Sequence, residues 1–120
     1  MVLVDTSVWI SHFRDGNKNL ESLLNEEKVI CHPMIIGELA CGNIKNRTEI
    51  LSLLQTLPPA KEATHEEVLE FIEKTKLYGK GIGYIDLHLL ASALISDIAL
   101  WTLDRKLDNE ATKLRIKYKR

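Results

Sequence analysis

Cysteine and proline are scarce in this sequence, neither sign of charge is in large excess, and no apolar run is long. The two cysteines, Cys31 and Cys41, lack the CxxC spacing of zinc ribbons and redox motifs, so both are expected to be small buried apolar residues. A reducing, cytoplasmic setting is the corresponding expectation. No segment approaches the ~20 apolar residues of a membrane span, and the opening Met-Val-Leu-Val-Asp has no basic stretch of the kind that starts a secretion signal. The expectation is a protein neither exported nor embedded in a membrane. His12, His32, His65 and His88 are scattered, without the i, i+4 pair that holds zinc on a helix. Gly79-Lys80-Gly81-Ile82-Gly83 is neither a dinucleotide fingerprint nor a Walker loop and reads as a bend after a helix. No GxSxG elbow surrounds Ser7, which argues against serine catalysis.

What remains is a chain of 120 residues, 45% hydrophobic and 28% charged, without repeats or linkers. That is the profile of one globular domain over residues 1–120, long enough to build a core without disulfides. Val2–Val4 reads as a strand ending at Asp5, followed by a helix carrying Val8, Trp9, Ile10 and Phe13. Asp15-Gly16-Asn17 breaks it, and Leu20, Leu23 and Leu24 mark the next helix. A second strand covers Val29–Cys31, and Pro33 opens a helix through Met34, Ile35, Glu38 and Leu39 to Gly42. A helix from about Thr48, with Ile50, Leu51, Leu53 and Leu54 inward, closes at Pro58-Pro59. Thr64 and Glu67 form a capping-box pattern. Ile85–Ser96 reads as a helix, Ile98–Thr102 as a third strand and Asp104–Leu114 as a helix. The period-two pattern from Lys113 to Arg120 predicts a half-exposed strand, whose Lys113, Arg115, Lys117, Lys119 and Arg120 either protect an edge or touch RNA. Strands alternating with amphipathic helices imply an α/β fold: a central, mostly parallel sheet with helices on both faces. Its ligands bind beyond the carboxyl ends of the strands.

Asp5 and Asp104 fall at such ends, although an acid after a strand also serves as an ordinary turn or helix cap. Glu38 and Asp86 lie on apolar helical stripes, the first with Met34, Ile35 and Cys41, the second with Leu90 and Ala93. An acid there needs a partner, either a nearby Lys or Arg or a shared cation. Converging carboxylates repel one another unless a hard cation such as Mg²⁺ or Mn²⁺ joins them. The net charge of −1 does not exclude nucleic acid: without these four, 13 of 17 acids face 16 bases, a mildly basic remainder.

Leu3-Val4-Asp5-Thr6-Ser7, Ile36-Gly37-Glu38-Leu39-Ala40, the segment from Tyr84 through Asp86 to Leu94, and Leu100-Trp101-Thr102-Leu103-Asp104 resemble, in order, the motifs of PIN-domain nucleases. The VapC toxins of toxin-antitoxin pairs match best. The resemblance implies a PIN-like fold and an endoribonuclease whose Mg²⁺ or Mn²⁺ is held by Asp5, Glu38, Asp86 and Asp104. Thr6, Ser7 and Thr102 would be supporting groups. It further implies an RNA substrate, a homodimer and a cognate VapB-type antitoxin. Where family members often carry an aromatic residue, three positions past the fourth acid, this chain has Leu107; Asp108 is an alternative or auxiliary to Asp104. A haloacid-dehalogenase-type phosphatase would need an acid at Ser7. Housekeeping RNA processing and a scaffolding role are the other readings, the last of which would be marked by loss of the acids.

Overall fold

The computed structural model describes residues 1–119; Arg120, the last residue of the expected basic strand, lies outside the described residues. At its centre runs β1 (Val2–Val4), whose three residues are all buried, as befits a strand covered on both faces. β2 (Val29–Ile30) and β3 (Ala99–Trp101) flank it, both parallel, in the order β2-β1-β3. Leu3 pairs with Ile30 on one side and with Leu100 on the other. Single parallel bridges extend the sheet at both edges, Cys31 to Pro59 and Leu100 to Lys117.

Between β1 and β2 lie α1 (Thr6–Asp15) and α2 (Lys18–Asn25), separated by Gly16 at φ 77° and started by the Asn17 side chain, which accepts from Leu20 N–H. Four helices connect β2 to β3: α3 (Pro33–Cys41), α4 (Arg47–Leu54), α5 (His65–Thr75) and α6 (Tyr84–Ser96). The Thr64/Glu67 capping box forms as expected. α6 is buried from Leu87 through Ala93 and is the most enclosed helix of the fold. β3 leads into α7 (Arg105–Lys113). Because right-handed crossovers from β1 and from β2 leave in opposite directions, they place helices on both faces of the sheet. They also open a crevice at the carboxyl ends of β1 and β3, where Asp5 and the segment 102–104 stand. No helix among the described residues is long and apolar enough to cross a membrane.

Three expectations need correction. Cys41 is exposed, because α3 ends there and turns its last residue to solvent, while Cys31 is buried. Leu53 is 60% exposed, since α4 packs through Ile50, Leu51 and Leu54 and is only Arg47–Leu54 long. The strand expected from Lys113 shrinks to one bridge: Lys113 still belongs to α7, and Arg115 turns left-handed at φ 62°. Only then does the chain reach the sheet edge, with Leu100 N–H donating to Ile116 and Tyr118 N–H donating to Leu100. The alternation of half-buried Leu114, Ile116 and Tyr118 with exposed Arg115, Lys117 and Lys119 persists without a ladder.

Candidate active site

Asp5 follows β1 and stands at the N-cap of α1, yet its side chain caps nothing. Instead its Oδ2 accepts two hydroxyl hydrogen bonds of 2.7 Å, from Ser7 and from Thr102. With both protons donated to Asp5, the 3.3 Å separation of the two hydroxyls is a contact rather than a third hydrogen bond. Each hydroxyl is anchored by the loop after β3: Leu103 N–H donates to Ser7 Oγ and Asp104 N–H to Thr102 Oγ1, both at 3.0 Å. The 5%-exposed Asp5 carboxylate is thereby oriented with Oδ1 left uncommitted.

Glu38 projects from α3 toward the amino end of α1, where Thr6 donates to its Oε1 at 2.7 Å. Thr6 and Ser7 thus divide the supporting work between two acids. Asp104 caps α7, accepting from Leu107 N–H through Oδ1 at 2.9 Å, which leaves its Oδ2 free. Both meanings of an acid after a strand hold for Asp104, while capping fails for Asp5.

Half-buried Asp86, in the first turn of α6, has no side-chain hydrogen bond among the described residues. Its carboxyl is pushed up to about 6, first by burial and then by the negative charges of Asp5, Glu38 and Asp104. The four acids therefore lie within one another's field. The alternative of a basic partner fails, because no ion pair among the described residues involves any of them. Asp108 is not part of this group: its Oδ2 holds Lys117 at 2.9 Å, and it exerts no effect on Asp86. Four carboxylates with uncommitted oxygens and no protein cation are a donor set suited to a hard divalent ion.

The PIN domain family matches residues 2–113. The chain is 45% identical over 108 residues to Ribonuclease VapC32 of Mycobacterium tuberculosis, in both the CDC 1551 / Oshkosh and the ATCC 25618 / H37Rv strains, covering 89% of this chain and 87% of that protein. This chain belongs to the PIN-domain family. A solved structure described as FitAB bound to an IR36 DNA fragment has the same fold, with a TM-score of 0.62 at 20% identity over 93% of this chain and 91% of that one.

Within this PIN domain two of the histidines that look scattered in sequence meet in space. His32 and His88 stack edge to face at 5.0 Å, and with Glu62 they present atoms within 4.8 Å of one another. The hydrogen bonds argue against a metal there. His32 Nδ1 accepts from Met34 N–H at 3.0 Å, so in a neutral ring Nε2 carries the proton and donates to Ser92 Oγ at 3.0 Å. No lone pair of His32 remains for a cation. Ser92 also accepts from Ala63 N–H and reaches His88 Nδ1 at 3.3 Å. This buried relay ties the start of α3, the chain before α5 and the middle of α6 together. Nothing in the sequence marks it, since its members are brought together from three distant segments. Burial and the neighbouring His88 lower the His32 pKa to about 4, which keeps the ring neutral.

Proposed function

We propose that this PIN domain is an Mg²⁺- or Mn²⁺-dependent endoribonuclease, the toxin of a VapBC-type pair, acting on RNA in the cytoplasm as a homodimer and silenced by a VapB-type antitoxin. The observation that carries the reading is Asp86: a carboxyl raised to about 6 among three other acids, with no ion pair to relieve it among the described residues. The name of the 45%-identical relative, a ribonuclease, supplies the substrate class.

Asp5, Glu38, Asp86 and Asp104 would hold the cation through the oxygens that Ser7, Thr102, Thr6 and Leu107 N–H leave free. A divalent cation bound there supplies Lewis acidity and makes a bound water a stronger acid. The protein contributes geometry. Ser7 and Thr102 fix the rotamer of Asp5, Thr6 fixes that of Glu38, and the carboxylates accept hydrogen bonds from a water aimed in line at a phosphodiester. Asp86, raised by burial and by the charges of the other three acids, is the carboxyl whose repulsion a bound cation would relieve.

Cleavage of a panel of purified RNAs with Mg²⁺, Mn²⁺ or EDTA tests the proposal. Asp5→Asn, Glu38→Gln and Asp86→Asn should each lower activity by about 10² or more while the fold persists. Activity that survives EDTA would exclude the metal, and near-wild-type activity of any of these variants would remove that residue from the site.

A further inference from the structure

Beside the acids, an open groove runs between the 79–83 bend and α7, lined by Lys80, Lys106, Lys113, Asn109 and Glu110. Its position follows from the two elements that form it. Asp104 caps α7 and Gly83 caps α6, so the same chain ends that deliver Asp104 and Asp86 to the acid cluster become the walls of the groove. Glu110, its only acid, is already engaged by Lys113 at 3.3 Å. Lys80 and Lys106 have no acidic partner among the described residues. The groove therefore carries uncompensated positive charge next to a strongly negative centre.

Lys106 is misplaced by the standards of helix stability. It stands in the first turn of α7, where the helix dipole disfavours a cation, and no side-chain or backbone acceptor among the described residues holds its ammonium. Its ammonium lies against the bend: a Cβ at Gly81, where φ is 76°, would come within 2.7 Å of Lys106 Nζ. A local preference broken without structural compensation is characteristic of a functional position.

The geometry points to this groove as a track for the phosphates of the RNA strand beside the scissile bond, with Lys106 and Lys80 as its principal contacts. The inference rests on the ribonuclease reading above and adds the path of the substrate. An extended strand whose scissile phosphate lies over the acids must leave the site along a neighbouring surface, and here that surface is cationic. Lysine ammoniums are point charges that hold a phosphate backbone without reading bases, so the track positions RNA and does not select its sequence. From Lys106 to Lys113 the helix advances about 10 Å, enough for a short run of backbone.

The test is binding of a short single-stranded oligoribonucleotide by fluorescence anisotropy at several salt concentrations, in EDTA to withhold the cation on which cleavage would depend. Lys80→Ala/Lys106→Ala is compared with Lys28→Ala/Lys74→Ala, which removes the same charge from residues paired with Glu26 and Glu70. The groove variant should weaken binding about tenfold and flatten the slope of log Kd against log salt by about 1.4, that is about 0.7 per lost phosphate contact. In cleavage of the same RNA with Mg²⁺ its loss of kcat/KM should lie in KM. The control pair should bind like wild type, and Lys106→Arg should retain binding. Equal affinity and slope in groove variant, control and wild type would overturn the inference while leaving the ribonuclease reading intact. Loss of binding to an acidic protein partner with RNA binding unchanged would also overturn it. A wild type that neither binds nor cleaves RNA would defeat the reading on which it stands.

Discussion

Half-buried Asp86 and buried His32 have titrations that oppose each other. The Asp86 carboxyl, raised to about 6 by burial and by three neighbouring acids, binds its proton more tightly in the folded chain than in the unfolded one. Its contribution to stability is thus fully present below the ordinary carboxyl range and is lost as pH rises through about 6. His32, lowered to about 4, behaves in reverse: the unfolded chain takes up the proton first, so stability falls as pH drops from about 6.5 toward 4. In Asp86→Asn only the histidine effect remains. Without metal, this variant should be more stable than wild type at pH 8, by about 1–2 kcal/mol after allowance for partial solvation. The advantage should shrink to nothing near pH 4. Thermal melts of both proteins in EDTA across that range measure it, and an advantage that did not depend on pH would contradict the assignment of the Asp86 shift.

At the scale of elements, α7 separates two acids that lie four residues apart. Asp104 closes the amino end of the helix and keeps one oxygen toward the cluster, whereas Asp108, one turn on, is turned to Lys117 in the segment at the sheet edge. Asp108 is therefore not expected to replace Asp104, although residues at this spacing share a helical face. Asp104→Asn keeps an N-cap acceptor and should fold normally with reduced cleavage, recoverable in part at high Mn²⁺; Asp104→Ala should in addition lose about 1 kcal/mol. Asp108→Asn should cleave like wild type at every Mn²⁺ concentration. A Mn²⁺ titration of these variants, with melting curves, decides the matter: full inactivity of Asp104→Asn at all concentrations would make it an equal ligand, and impaired cleavage by Asp108→Asn would return that residue to the site.

For the whole molecule, the relevant feature is an acidic crevice whose carboxylates form no ion pair among the described residues, in a chain whose bases slightly outnumber the remaining acids. Such a crevice receives a divalent cation or an Arg guanidinium, which can bind two carboxylate oxygens at once. If the antitoxin inhibits by placing an arginine there, metal and antitoxin tail should compete. Mn²⁺ should raise the melting temperature of the free protein but not of the complex, nor of Asp5→Asn. Equal Mn²⁺ stabilisation of free and antitoxin-bound protein would place the inhibitor away from Asp5, Glu38 and Asp86.

The sequence by itself determined the α/β alternation and the extents of most helices, because apolar periodicity and caps such as Thr64/Glu67 are local properties. Glu38 and Asp86 stood out because an acid on an apolar stripe is conspicuous without any knowledge of its neighbours, whereas Asp5 and Asp104, each open to an ordinary turn or cap reading, joined them through the motifs of the resemblance. Tertiary structure alone decided which hydroxyl serves which acid, that Lys117 holds Asp108, and that His32, Ser92 and His88 form one relay. It also decided that the expected C-terminal strand would reduce to a single bridge and that Leu53 and Cys41 would face solvent. The reason is one of range: a side chain's partner across the fold is fixed by where the crossovers set down segments tens of residues apart, and no local pattern carries that distance.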